Sequence, residues 1–157
     1  MALSTQARLL ELIPTIGAAS YSDGDLLWQP VEVADAVFQQ GRIAQLLSVQ
    51  GVLGDNITPA MELWFFNASV DLGTVGDPID VTAGVLSPAF LGVQPIVSGD
   101  WKQAKPSTNK LLDVVTVRSL MLQAAEDDRA LYVAGVARAA ITLTADSATF
   151  RLGVKWW

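Results

Sequence analysis

Ala60-Met-Glu-Leu-Trp-Phe-Phe-Asn67 is the strongest β-strand pattern in the chain. Successive side chains of a strand point to opposite faces, so Met61, Leu63 and Phe65 share one face. The opposite face also becomes apolar towards the end of the segment, where Trp64 follows Glu62. Because both faces are apolar, the pattern predicts a central strand that is buried on both sides.

Similar two-residue alternation occurs on both sides of this strand. It predicts further strands at Val31–Phe38, Arg42–Gly51, Leu91–Val97, Leu111–Leu122, Leu131–Thr144 (one bent strand or a pair) and Ala148–Trp156. Between them we expect a helical turn near Asp80–Leu86, capped by Asp80, and a loop at Ser98–Asn109 that carries Trp101. About eight strands separated by turn signals predict an all-β fold, an antiparallel sandwich or barrel.

The N-terminal segment has two interpretations. Ser4–Ile13 could form a short helix that Pro14 terminates, or an extended arm. We therefore divide the chain into an N-terminal arm, residues 1–19, and one β-domain, residues 20–157. No apolar run approaches the length of a membrane span, and we expect no signal peptide.

Composition excludes several kinds of chemistry. The 157 residues contain no His and no Cys, so thiolate nucleophiles, His general bases and His or Cys metal centres are absent. A formal net charge of −6 disfavours nucleic-acid binding. The chain is 51% hydrophobic and only 17% charged, which indicates that a partner covers part of its apolar surface.

The remaining polar motifs fit structural roles better than catalytic ones. The carboxylate pairs Asp23/Asp25 and Asp127/Asp128 lie in turns, where acidic residues usually cap and solvate the chain. Ser22-Asp-Gly-Asp25 lacks the spacing of a calcium loop, and no phosphate-binding loop occurs. We predict no catalytic residues, no bound metal and no cofactor.

The tryptophans are unusually placed. Trp64 is expected in the core, whereas the adjacent Trp156 and Trp157 should point to opposite faces of the last strand. At least one of these two indoles should therefore lie outside the main core, where a partner could cover it.

In order along the chain, the patterns resemble those of the jelly-roll capsid decoration (cement) proteins of tailed bacteriophages. The resemblance rests on the turn Asp23-Gly-Asp25, the strand pair that follows it, Pro59-Ala-Met-Glu-Leu-Trp-Phe-Phe66, the loop Asp77-Pro-Ile-Asp80, Leu91-Gly-Val93 and Leu131–Ala140. It covers approximately Ser20 to Lys155. The leucine-rich segment before Pro14 and the Trp-Trp end are not part of it.

The resemblance implies a jelly roll and a structural, non-enzymatic role. Such a protein is made in the bacterial host cytoplasm, binds the major capsid protein on the outer surface of an icosahedral head, often as a trimer, and braces the shell; nucleic acid and membranes are not expected partners. We expect the interface among Leu3, Leu9, Leu10, Leu12, Ile13, Trp28, Trp101, Trp156 and Trp157.

Three alternatives remain open at this point. The first is a carbohydrate-binding sandwich module of a phage tail or adhesin, which would stack sugar on exposed Trp28 or Trp101. The second is another virion component, such as a head–tail connector or a tail protein. The third is a hydrolase that uses two carboxylates in a cleft.

Overall fold

A computed structural model describes residues 6–105, 109–114, 118–144 and 148–156. These residues form twelve strands, against the eight or so predicted: β1 (Gln6–Leu12), β2 (Ser20–Tyr21), β3 (Leu26–Val33), β4 (Ile43–Leu53), β5 (Met61–Phe66), β6 (Phe90–Ile96), β7 (Trp101–Lys105), β8 (Asn109–Val114), β9 (Met121–Gln123), β10 (Leu131–Ala137), β11 (Ile141–Thr142) and β12 (Ala148–Trp156). A four-residue helix, α1 (Ala83–Leu86), and a 3-10 turn, Ser98–Asp100, complete the described elements.

The strands build two antiparallel sheets and a short β2–β11 pair. The large sheet has six strands in the order β1-β12-β4-β8-β7, with β9 also paired to β4, and the small sheet has the order β3-β10-β5-β6. Without the short or peripheral strands β2, β7, β9 and β11, eight strands remain, which we number 1 to 8 along the chain. In these numbers, the order of strands is 1-8-3-6 in the large sheet and 2-7-4-5 in the small sheet. These are the orders of a two-sheet jelly roll. The predicted antiparallel sandwich is confirmed, and β5 lies in the interior of its sheet as expected.

The core lies between the two sheets, and aromatic side chains join them. The rings of Trp28 on β3 and Phe150 on β12 have centroids 5.7 Å apart. The indole N–H of Trp28 donates a hydrogen bond of 3.1 Å to the carbonyl of Val133 on β10. Gly135, two residues farther along β10, leaves the space that the six-membered ring of Trp28 occupies. The position of the largest core side chain therefore depends on the absence of a Cβ at residue 135.

One predicted strand is displaced. The strand predicted at Val31–Phe38 is instead Leu26–Val33, because Asp35 adopts a φ of 52°. This left-handed conformation turns the chain out of the sheet, and aspartate tolerates it better than most residues do. The alternation of apolar residues after Val33 therefore belongs to a turn, whose Ala36 and Val37 are nevertheless buried.

The loop predicted at Ser98–Asn109 is also wrong, because it contains β7 (Trp101–Lys105) and, at Asn109, the start of β8. Trp101 begins this strand, its side chain is buried, and its indole N–H donates a hydrogen bond of 2.8 Å to the carbonyl of Pro59. The single strand predicted at Leu111–Leu122 is divided between β8 and β9, both of which pair with β4.

The N-terminal segment is extended rather than helical. β1 pairs with β12 along its whole length, from Gln6 opposite Trp156 to Leu12 opposite Phe150. Gln6–Leu12 of the predicted arm is therefore an edge strand of the large sheet, and its Leu10 and Leu12 side chains are buried in the core.

A long loop, residues 67–89, covers the outer face of the small sheet. Its Val70 and Leu72 form a second apolar cluster with Phe66 on β5 and Ala134 on β10. The side-chain amide of Gln29 accepts a hydrogen bond from the backbone of Leu72 at 3.1 Å and so ties this loop to β3. The predicted helical turn is present as α1, but its N-cap is Thr82 rather than Asp80. Much of the outer face of the small sheet is therefore covered by its own chain, although Phe90 on β6 stays 39% exposed beside Phe66.

Candidate docking surface

The residues predicted at an interface separate into buried and exposed groups. The buried residues are Leu10, Leu12, Trp28, Trp101 and Trp156. Leu9 and Ile13 are 57% and 62% exposed. Leu3 and Trp157 lie outside the described residues. Among the predicted interface residues that the structure describes, Leu9 and Ile13 alone offer apolar surface.

Trp156 belongs to the core of the single chain. It shares the inward face of β12 with Phe150, and its indole N–H donates a hydrogen bond of 2.8 Å to the carbonyl of Ala36. The ring of Phe38 covers it at a centroid distance of 6.0 Å. The turn after β3 thus buries an indole that the sequence pattern alone left without a neighbour.

Trp28 and Trp101 are likewise satisfied inside the protein. Both indole rings are buried, and both N–H groups donate to backbone carbonyls. Neither ring offers a face on which a sugar could stack, so the carbohydrate-binding alternative loses the residues on which it depended.

The outer face of the large sheet is a different surface, which we call the docking face. It carries exposed apolar side chains on four of its described strands, Ile43 on β4 and Met121 on β9 among them. Four aliphatic side chains line depressions in this face: Leu9 on β1, Leu47 and Val52 on β4, and Leu111 on β8. Only Leu9 was predicted as an interface residue. The other three occupy outward positions of apolar strands, where the alternation pattern alone does not distinguish a covered face from a bare one.

A β-bulge brings Leu47 to this face. The pairing of β4 with β12 shifts between Ser48, opposite Gly153, and Leu46, opposite Val154, so Leu47 is the extra residue. A bulge of this kind re-aims side chains locally. Leu46 remains buried, whereas Leu47 is 41% exposed.

Shallow depressions lie between these aliphatic side chains. One, of about 240 Å³, is lined by Leu9, Leu47 and Gly153, whose missing side chain lowers its floor. Another, of about 340 Å³, is lined by Val52, Leu111 and Arg151. Arg151 also borders a third depression, of about 220 Å³, beside Leu9. The arginine therefore stands between the aliphatic positions of β1 and those of β4 and β8.

Charge is distributed unevenly between the two sheets. The strands of the large sheet contain six basic and two acidic residues, namely Arg8, Lys102, Lys105, Lys110, Arg151 and Lys155 against Glu11 and Asp113. The rest of the chain contains four basic and fourteen acidic residues. The net charge of −6 is thus the sum of +4 on the large sheet and −10 elsewhere.

A polar network on the small sheet has a structural explanation. Glu62 on β5 accepts hydrogen bonds from the Arg138 guanidinium at 2.7 Å and from the Trp64 indole at 2.9 Å. Burial raises the pKa of Glu62, but these two hydrogen bonds and the charge of Arg138 outweigh it and hold the pKa below its ordinary value. The network therefore stabilises the fold with Glu62 ionised.

Glu62→Gln is expected to make the free energy of unfolding less dependent on pH in the acid range. A depressed carboxylate pKa contributes stability above the ordinary pKa, and this contribution is lost as pH falls through the folded-state pKa. We expect a loss of about 1 kcal/mol at pH 7, because the pair is partly exposed, and we expect this loss to disappear as the pH falls below the ordinary carboxyl pKa of 4.5 and through the lowered pKa of Glu62. Urea unfolding at neutral and at acid pH measures it, with the exposed Glu126→Gln as control. Parallel pH profiles for wild type and Glu62→Gln would contradict the assignment.

Other kinds of site find no support in the described residues. No group of three or more acidic residues there could hold a metal ion, and no buried side-chain nitrogen or oxygen lacks a hydrogen-bond partner. Among the same residues, no helix has the length and apolarity needed to cross a membrane. No family model matches this chain, and no curated protein or solved structure is significantly similar to it.

Proposed function

We propose that this protein is a structural component of a bacteriophage virion that binds the outer surface of an icosahedral head, as a trimer in contact with the major capsid protein, and stabilises the shell. The observation that supports this role most strongly is the docking face. The chain covers much of the outer face of its small sheet with its own loop, yet leaves aliphatic side chains exposed on the large sheet, including two pairs that line depressions, Leu9 with Leu47 and Val52 with Leu111. Clustered exposed apolar side chains of this kind mark an interaction site.

Binding alone can supply the stabilisation that such a role needs, without a catalysed reaction. Covering a half-exposed leucine or valine contributes about 1 kcal/mol, so the four aliphatic side chains of the docking face together supply a few kcal/mol per copy. A protein that binds only the assembled lattice stabilises it by about 2.7 kcal/mol per site at a hundredfold excess over Kd. Summed over many sites, this binding free energy stabilises the shell against rupture by internal pressure.

The acidic balance of the chain agrees with a position outside the shell. A net charge of −6 disfavours contact with packaged DNA. The carbohydrate-binding alternative is less well supported, because its two candidate stacking residues, Trp28 and Trp101, are buried.

Mixing the purified protein with undecorated heads tests the proposal. We expect light scattering to give the mass of a trimer, and we expect the protein to sediment with the heads at a fixed stoichiometry and to raise the temperature at which they release DNA. Heads that already carry the protein are the control, and they should bind no more of it. A monomer that neither sediments with the heads nor changes their release temperature would contradict the proposal.

A further inference from the structure

We propose that the docking face binds an acidic protein surface, with a partner carboxylate against Arg151 and partner aliphatic side chains in the depressions on either side. This inference rests on the proposed function. It assigns the face that contacts the shell and the chemistry of the shell surface that receives it.

Arg151 is positioned as the polar centre of the face. It projects outward from β12, which is held between β1 and β4 and is therefore rigid. Glu11 lies beside it in register on β1, yet no hydrogen bond or ion pair engages the guanidinium within the described residues. An exposed guanidinium between aliphatic depressions matches the anchors of protein interfaces, where arginine is enriched and binds carboxylates in bidentate fashion.

The distribution of charge over the molecule indicates the sign of the charge on the partner surface. Among the outward positions of the large sheet whose side chains the structure describes, three are basic (Lys102, Arg151 and Lys155) and one is acidic (Glu11), whereas Arg8 and Lys110 occupy inward-facing register positions. The loop that covers the opposite side of the sandwich, residues 67–89, carries exposed Asp71, Asp77 and Asp80 and no basic residue. Electrostatic complementarity therefore orients the molecule with its large sheet towards an acidic surface and its acidic loop away from that surface.

A second copy of this chain fits the docking face poorly. A symmetric contact would place together two docking faces on which basic residues outnumber acidic ones. A head-to-tail contact would set the docking face of one copy on the acidic loop of the next. Because these two surfaces lie on opposite sides of the sandwich, that contact does not close into a ring and would give an open filament.

Nucleic acid is a poorer match than an acidic protein. Exposed aliphatic side chains fill depressions but offer no platform on which bases stack. Duplex DNA is therefore included as a competing ligand in the test.

Charge reversal at Arg151 tests the inference in the assembled system. We compare wild type, Arg151→Glu, Arg151→Lys and Leu9→Ser for binding to undecorated heads at low and at physiological salt. Arg42→Glu, an equal charge change at an exposed turn outside the docking face, is the matched control. Thermal melting of each free variant checks its folding. A short DNA duplex is offered in parallel.

We expect Arg151→Glu to bind the heads about 100-fold more weakly, since it places like charges together at a contact that becomes desolvated. Arg151→Lys should lose less, Leu9→Ser should bind more weakly than wild type at both salt concentrations, and Arg42→Glu should bind as wild type does. If wild type binds the heads but Arg151→Glu and Leu9→Ser do so equally well, this inference fails and the proposed function stands. Arg151-dependent binding to the duplex with unaffected binding to heads would also overturn it. If wild type binds no heads, both fail.

Discussion

Gly135→Ala is expected to lower the free energy of unfolding by about 3 kcal/mol. A Cβ built at residue 135 would lie 2.3 Å from Cη2 and Cζ3 of Trp28, which is far inside van der Waals contact. The indole cannot simply retreat, because its N–H is bound to the carbonyl of Val133 and Phe150 packs nearby. Either Trp28 loses its hydrogen bond or β10 moves out of register.

Thermal melting and urea unfolding measure this effect. For a chain of this size, a loss of about 3 kcal/mol corresponds to a fall in Tm of about 6–12 °C. Gly99→Ala is the matched control, because a Cβ there meets nothing within 4 Å and should change stability little. Trp28→Leu should partly rescue Gly135→Ala, so the double variant should lose less than the two single losses together. A Gly135→Ala protein as stable as wild type would contradict the packing described for the core.

Trp156→Ala is expected to cost about 3–5 kcal/mol, as for other large-to-small substitutions in a core. The side chain is only 7% exposed, and its removal would leave a cavity and an unpaired carbonyl at Ala36. Trp156→Phe should lose less, since it keeps part of the ring but not the hydrogen bond.

The same variants distinguish a core role for Trp156 from an interface role. Phe38→Ala, which removes the more exposed ring of the pair, is the control and should cost clearly less than Trp156→Ala. If Trp156→Ala melted as wild type does but no longer sedimented with heads, Trp156 would be an interface residue, and its assignment to the core would be wrong.

The sequence predicts the fold where alternation is strong and uninterrupted. β5 and β12 were recognised because their apolar residues repeat every second position up to a clear turn. The strand near Val31 was displaced because the pattern continues through Asp35, and only the left-handed backbone at that residue ends the strand. β7 was missed because Trp101 was expected in a loop, whereas its burial depends on the distant carbonyl of Pro59.

The docking face was harder to predict than the fold. Leu47, Val52 and Leu111 alternate like core residues, and nothing local shows that they face outward with no segment over them. Whether a sheet face is bare depends on where the loops fold. Here residues 67–89 cover much of the small sheet, whereas no segment among the described residues covers the outer face of the large one. The apolar composition predicts that a partner covers part of the surface, but it does not say on which side of the sandwich that part lies.

Cryo-electron microscopy of heads saturated with the protein tests the central claim most directly. The account predicts density in which the large sheet faces the shell, with Arg151 at the contact, and in which the loop of residues 67–89 faces solvent. Density with the sandwich reversed, so that this loop contacts the shell and the large sheet faces outward, would contradict it.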